Sequence, residues 1–323
     1  MKAILMDRYG PPEVLRLADV PKPEPKPGHV LIRIRASVAT PPDCAFRSAD
    51  PFIIRLMFGL FRPKHPIPGT SFAGEVEAVG DGVTRFSAGD RVYGASDAAF
   101  GCYAEYIVLP EQGVLAKMPD GIGFGEAVAM SEGFLTALPF LRDGAGLKPG
   151  QRILVNGAAG SVGSAAVQIA KHMGAHVTGA ASARNRDFLI QLGVDAFIDR
   201  HNADYTAQSA VYDAVFDAVG ASRFSRARRV LTPTGVYLTT VPSLHIILPT
   251  MRAKRAKGRR GLLMTTGLRP DPAKRADLEL LSRMIENGQI APVIDRRYPL
   301  AEAAAAHAYV ETRRKRGSVV IDI

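Results

Sequence analysis

A chain of 323 residues, 47% hydrophobic and 22% charged, has the composition of a globular protein with room for about two domains. Two cysteines and no Cys-x-x-Cys pair exclude a disulfide framework and any site that needs several thiolates. The net charge of +10 is spread along the chain and reads as a basic coat rather than a polyanion-binding surface. No apolar run reaches the ~18 residues of a membrane span, and the apolar stretch after Met1 is too short for a signal peptide, so a cytoplasmic location is expected.

The front of the chain reads as β-rich. Short strand-like runs fall at residues 3–6, 30–36, 74–79 and 103–109, punctuated by the Pro-rich stretch 21–28 and by Gly80-Asp81-Gly82. Such spacing suits a small barrel or sandwich. The rhythm changes at 153–156, an apolar run followed by a Gly/Ala turn and a helical pattern over 161–173. Strand candidates at 177–180, 214–216 and 236–239, with a helix near 188–192, continue an alternation that implies a parallel sheet covered on both faces. Helices near 273–287 and 301–312 and a last strand at 319–323 close the chain.

The strongest motif is Ile153-Leu-Val-Asn-Gly157-Ala158-Ala159-Gly160-Ser161-Val162-Gly163. Gly157 lets the chain turn, Gly160 lets backbone approach a pyrophosphate, and Gly163 lets the helix pack on the strand. The helix N-terminus then offers N–H groups and partial positive charge to phosphates. Glycines this dense also occur in plain turns; the position between strand and helix favours the cofactor reading. NAD sites place an Asp or Glu after the second strand, to bind the ribose 2′-hydroxyl. Here Ser182, Arg184 and Arg186 follow, with no carboxylate before Asp187, so the site suits the 2′-phosphate of NADPH.

Tyr9-Gly-Pro-Pro-Glu-Val-Leu, the run 68–80, Phe86-Ser-Ala-Gly-Asp-Arg-Val-Tyr-Gly, Gly101-Cys-Tyr-Ala-Glu-Tyr, the phosphate loop, Ala214-Val-Phe-Asp217-Ala-Val219-Gly220 and Gly317-Ser-Val-Val-Ile follow one another in order. Together they resemble the medium-chain dehydrogenase/reductase superfamily, and within it the zinc-free quinone oxidoreductase branch. The resemblance implies an α/β architecture: a GroES-like β-rich catalytic domain over 1–127, completed by 268–323, and a Rossmann doubly wound parallel sheet over 128–267. It implies a cofactor between the two, a substrate over the nicotinamide, and a homodimer. By resemblance Thr136, Val219, Thr240, Val241, Thr265 and Thr266 also touch the cofactor, and Arg200 meets the adenine or the 2′-phosphate.

Zinc-dependent relatives carry a Cys at the position of Thr40 and a His-Glu pair where Thr70 and Ser71 stand here. Hydroxyls are poor zinc ligands, and Cys44 with His65 does not make a site, so no metal is expected. Without a Lewis acid, a conjugated carbonyl, a quinone or an enone, is the easier hydride acceptor, because charge delocalises. The candidates for the chemistry are Thr40, where relatives carry an Asn, Asp43, which reads equally as a helix cap after Pro41-Pro42, and Tyr9, which reads equally as a turn-packing aromatic.

Two segments stay open. The apolar run 52–61 is a lid or pocket wall for a lipophilic acceptor, a buried helix or subunit contact, or a membrane-surface segment. The run 252–260, six basic residues in nine, reads as a solvated face, with nucleic acid or acidic lipid as the alternative. The competing functions are an aldehyde or ketone reductase on the same scaffold, and a non-catalytic NADPH-binding protein that engages RNA or membrane.

Overall fold

The structure, a computed structural model, describes residues 1–207, 211–253 and 258–323. These form two compact units: Met1–Glu132 with Pro270–Asn287 and Pro292–Ile323, and Gly133–Arg269 with Gly288–Ala291.

The first unit opens with an antiparallel pair, β1 (Lys2–Leu5) and β2 (Arg16–Asp19). The long strand β3 (His29–Ala39) pairs antiparallel with β4 (Ser71–Val79) and with β6 (Tyr106–Pro110). β5 (Arg91–Ala95) pairs with β4, and β7 (Val114–Lys117) with β5. Val30, Ile32 and Ile34, at alternate positions of β3, share one face and meet Phe72, Val76, Val92 and Leu115 in a buried cluster. Between β3 and β4 come two short helices, α1 (Pro41–Ser48) and α2 (Ile53–Phe58). α3 (Phe124–Ala129) starts a helical run that continues through π-type turns at Met130–Phe134 into α4 (Leu135–Pro139).

The second unit is a parallel sheet with helices in its connections. β8 (Arg152–Asn156), β9 (His176–Ala181), β10 (Ala196–Asp199), β11 (Tyr212–Asp217), β12 (Leu231–Thr239) and β13 (Arg260–Leu263) lie in the order β10-β9-β8-β11-β12-β13. α5 (Ser161–His172), α6 (Arg186–Gln191), α7 (Phe224–Ala227) and α8 (Leu244–Ala253) link successive strands. Ile153, Leu154, Val155, Val215 and Phe216 are wholly buried, as expected of strands covered on both faces.

The tail then returns to the first unit. α9 (Asp271–Glu286) is fastened by the Tyr93 hydroxyl, which donates to the Leu278 carbonyl at 2.7 Å. β14 (Ile294–Pro299), α10 (Ala303–Glu311) and β15 (Ser318–Asp322) follow, and β15 pairs antiparallel with β3, which makes a seven-stranded sheet.

The division lies at 132/133 and 269/270, not at 127/128 and 267/268. The helical run of 124–139 continues across 132/133, with Gly133 as the one sequence mark where the units part. Residues 288–291 join the second unit because the Gln168 amide donates to the Ala291 carbonyl at 2.9 Å and accepts from its N–H at 2.8 Å. The apolar run 52–61 is not a buried helix: Phe52, Ile53, Leu56, Met57 and Phe61 are exposed, while Ile54 is buried. Within the basic run, residues 254–257 lie outside the described residues.

Candidate active site

Strand register gathers the residues expected at the nucleotide site. Asn156 stands opposite Ala180 and Asp217, Asp217 opposite Thr239, and Thr239 opposite Leu263. The loops after β8, β11, β12 and β13 therefore leave one edge of the sheet at one level. The strand order runs outward in opposite directions from β8 and β11, so this edge contains the switch point where such sheets receive ligands.

The turn after β8 is held by the Gly157 and Ala158 N–H groups, which donate to the Ala180 carbonyl at 3.0 and 3.2 Å. Gly157 sits at φ +79°, a conformation that disfavours any Cβ. At Gly163 a Cβ would overlap the Gly157 carbonyl, so this glycine is fixed by the close packing of α5 on the turn. Gly160 differs: an added Cβ would meet only the Gly157 oxygen at 3.6 Å. The protein's own packing does not demand a glycine there, whereas a ligand lying on the turn would. Gly160 is also the N-cap of α5, and no side chain caps that end. Ala158, Ala159 and Ser161 are buried around it, and Val162 is half-buried.

Val219 lies against Gly157, where a Cβ on the glycine would come within 2.5 Å of its Cγ1. Val241 likewise packs on Gly220. Thr240 donates from its hydroxyl to the Ala218 carbonyl at 3.3 Å, which ties the loops after β11 and β12 together. Thr265 and Thr266 follow β13 on the same edge. Thr136 is half-buried in the helical run that Gly133 seats against the Ser161 carbonyl.

Past β9, Ser182 precedes a short turn carrying Arg184, and Arg186 starts α6; both guanidinium side chains are exposed. Arg200 comes to the same place from β10, its backbone N–H donating to the Ala181 carbonyl at 3.0 Å. Asp199 also reaches this strand end, which sequence reasoning did not foresee. Its carboxylate is taken up by the His201 N–H at 3.1 Å and the Asn202 amide at 2.8 Å.

Sequence reasoning also missed the organiser of the edge. Asp217, wholly buried, accepts from the Asn156 amide, the N–H groups of Val219, Ala221 and Ser222, and the Tyr237 hydroxyl. Burial and the Asp217 charge push the Tyr237 hydroxyl up. The only available sign was an Asp closing an apolar strand before Ala-Val-Gly.

The first unit holds a different kind of site. A shallow hollow is lined by Met6, Tyr9, Asp43, Phe46, Phe58, Pro63, His65, Pro68 and Phe100. Phe46, Phe58 and Phe100 form a mutual edge-to-face trio with centroids 4.9–5.5 Å apart. The Tyr9 hydroxyl donates to the Gly59 carbonyl at 2.8 Å and pins the end of α2.

Asp43 is the third residue of α1 and forms a capping box with Thr40. The Asp43 N–H donates to the Thr40 hydroxyl oxygen at 3.1 Å, and Asp43 Oδ2 receives the Thr40 N–H at 3.1 Å and hydroxyl at 2.6 Å. Thr40 is therefore buried, with its hydroxyl engaged as a cap. Burial, reinforced by Glu132, raises the Asp43 carboxyl to about 7.

The donor set does not fit zinc. Thr40 and Thr70 both hydrogen-bond Asp43. Cys44 Sγ lies 3.6 Å from His307 Nδ1, and Cys102 Sγ 3.2 Å from the Ser96 hydroxyl. Burial pushes both thiols up to about 12. His65 rests on the Phe100 ring instead of joining Cys44. Among the described residues no group of three or more His, Cys, Asp or Glu side chains could hold a metal.

A glycine turn at the carboxyl edge of a parallel sheet receives dinucleotides, and places the chain among the dinucleotide-dependent oxidoreductases. Residues 26–120 match the family model described as "Alcohol dehydrogenase GroES-like domain", and residues 192–321 the one described as "Zinc-binding dehydrogenase". The chain belongs to the medium-chain dehydrogenase/reductase superfamily, in its quinone oxidoreductase-like branch, and is an oxidoreductase that uses a nicotinamide cofactor on a small-molecule substrate. It is 34% identical to a quinone oxidoreductase of Pseudomonas aeruginosa, across 99% of each chain. Among solved structures it is similar to the quinone oxidoreductase from Coxiella burnetii, with 31% identity, a TM-score of 0.87, and 100% and 99% of the two chains covered. It is also similar to a mycobacterial protein complexed with NADPH, with 30% identity, a TM-score of 0.84 and both chains fully covered. No described helix is long and apolar enough to cross a membrane.

Proposed function

We propose that this chain takes its hydride from NADPH and reduces a lipophilic conjugated carbonyl, a quinone or an enone, without a metal. The observation that carries the coenzyme reading is the convergence of Ser182, Arg184, Arg186 and Arg200 on the end of β9, with Asp199 occupied by its own turn. Guanidinium groups suit a 2′-phosphate, and a carboxylate facing it would repel it. The glycine turn and the uncapped start of α5 would hold the pyrophosphate, and Val219, Thr240, Val241, Thr265 and Thr266 would border the nicotinamide half.

The reduced nicotinamide supplies a hydride when bound. This chain's part is to orient the acceptor and exclude water. The Phe46–Phe58–Phe100 trio gives the hollow its affinity for a flat apolar ring. Hydroxyls and engaged thiols give no Lewis acid, which favours an acceptor whose charge delocalises. The test is calorimetry of NADPH against NADH, followed by NADPH oxidation with a quinone, an enone and a simple aldehyde, with and without a chelator. Tighter NADPH binding and chelator-insensitive turnover on the conjugated acceptors is the expected result. Equal affinity for NADH, or turnover on the aldehyde alone, overturns it.

A further inference from the structure

We propose that Asp43 gives the proton that completes the reduction of an acceptor held in the aromatic hollow, an assignment that rests on the reductase reading above. Three titratable side chains reach this hollow: Tyr9, Asp43 and His65. The Tyr9 proton is held by the Gly59 carbonyl, and burial raises its release further, against the Arg55 guanidinium over its ring. His65 is exposed to solvent. Asp43 is the one buried, at 2% exposure.

Its two oxygens are unequal. Oδ2 is bound to α1 by both donors of Thr40, at 3.1 and 2.6 Å. Among the described residues Oδ1 meets only the Thr70 hydroxyl, at 3.3 Å. A proton on the carboxyl therefore belongs on Oδ1, the oxygen with free capacity. A Thr hydroxyl can accept from the acid and donate to the carboxylate, so Thr70 serves both states.

Burial and Glu132 favour retention of that proton, against the hydrogen bonds that Thr40 and Thr70 donate. The groups around Asp43 are, at the start of α1 and on it, Thr40, Cys44 and Arg47, whose guanidinium is paired with Glu311. From the segment after residue 100 come Cys102 and Tyr103, both buried. From the helical run comes Glu132, which faces Lys315 at 3.1 Å and the Ser318 hydroxyl at 2.6 Å. His307 stands behind Cys44, and burial lowers it to about 3, so it is neutral. No cation is paired with Asp43 among the described residues, and burial holds its carboxyl near 7 instead of the ordinary range.

The step balances. Hydride arrival leaves an extra electron pair on the acceptor, gathered on its carbonyl oxygen. The Oδ1–H bond of Asp43 breaks as an O–H bond forms on the acceptor. The carboxylate keeps the Thr70 hydrogen bond and is reprotonated from water. The acceptor gains a hydride and a proton, and the coenzyme is oxidised by two electrons.

The test is the pH dependence of kcat/KM with a quinone, for the wild type, Asp43→Asn and Thr70→Val, with NADPH affinity measured in parallel. An acid must be protonated, so the wild-type rate should fall about tenfold per pH unit above about 7. Asp43→Asn keeps one amide oxygen to accept from the Thr40 cap but has no acidic proton. It should lose about 100-fold or more, show no limb in this range, and bind NADPH as before. Thr70→Val removes a donor to the carboxylate, so its limb should move to higher pH. Infrared difference titration of the protein without coenzyme adds a readout free of turnover: a carboxylic C=O band should vanish as pH passes about 7, and be missing from Asp43→Asn. An unchanged limb in both variants, or a carboxyl that titrates in the ordinary range, overturns the role of Asp43 while leaving the reductase reading intact. A wild type that oxidises no NADPH with any acceptor overturns the reading and the role together.

Discussion

The edge of the parallel sheet and the aromatic hollow of the first unit do their work by opposite means. The sheet edge presents the uncapped start of α5 and exposed guanidinium groups, so it is polar. The hollow presents aromatic rings around one buried carboxyl. The first recognises charge through groups that cost little to fold. The second stores a burial penalty in Asp43, and that penalty is what makes it a usable acid near neutral pH.

The largest effect that would sharpen this contrast lies within the glycine turn itself. Gly163→Ala should cost about 1–3 kcal/mol of stability, because its Cβ overlaps the Gly157 carbonyl, and should abolish measurable NADPH binding. Gly160→Ala should leave the melting temperature nearly unchanged, since its φ of −75° suits alanine and its Cβ meets little, while alanine is the poorer N-cap. Its NADPH affinity should still fall by about tenfold or more, that is by 1.4 kcal/mol or more. Loss of stability without loss of affinity at Gly160 would show that the turn serves packing alone.

Next in size is the coenzyme preference. Replacing Arg184 and Arg186 together by Ala should weaken NADPH by about 10–100-fold and leave NADH unchanged, read by calorimetry. An equal loss for both would place the arginines elsewhere than at the 2′-phosphate. Smaller again, Phe58→Ala opens the hollow by removing one member of the trio. It should cost about 1–3 kcal/mol and change KM for bulky quinones, with NADPH affinity unaltered.

The smallest effects are in the pH dependence of stability. His307 is lowered to about 3 from 6.5, so its contribution is present above 6.5 and is lost as pH falls through 3. Asp43 is raised to about 7 from 3.8, so its contribution is present below 3.8 and is lost as pH rises through 7. Between 3.8 and 6.5 the two slopes oppose each other. Denaturant unfolding across this window should be nearly flat for the wild type and steepen toward acid in Asp43→Asn.

The same contrast explains what could be read from the sequence. The turn at Gly157–Gly163 is local: seven consecutive residues carry the geometry, and glycine is chosen for backbone reasons that survive in a linear string. The alternation of strands and helices was legible for the same reason. Asp43 as a cap was also legible, because Thr40 and Asp43 stand three apart behind a Pro pair. The hollow was not. Tyr9, Phe46, Phe58, His65 and Phe100 meet only through tertiary packing, and no periodicity links them. Asp199 was passed over because it reaches the end of β9 through strand pairing. The unit boundaries shifted because a continuous helical run hides the place where the contacts change partners.

Asp217 carries a consequence for redesign. One carboxylate ties three strands, β8, β11 and β12, and the loop after β11 into one frame, so a substitution there should disturb much of the proposed nucleotide bed at once. The arginines past β9 hang outside that frame on exposed side chains. If the arginines set coenzyme choice as proposed, that choice is a detachable property of this fold, open to exchange by a few surface changes, while the bed beneath it tolerates far fewer.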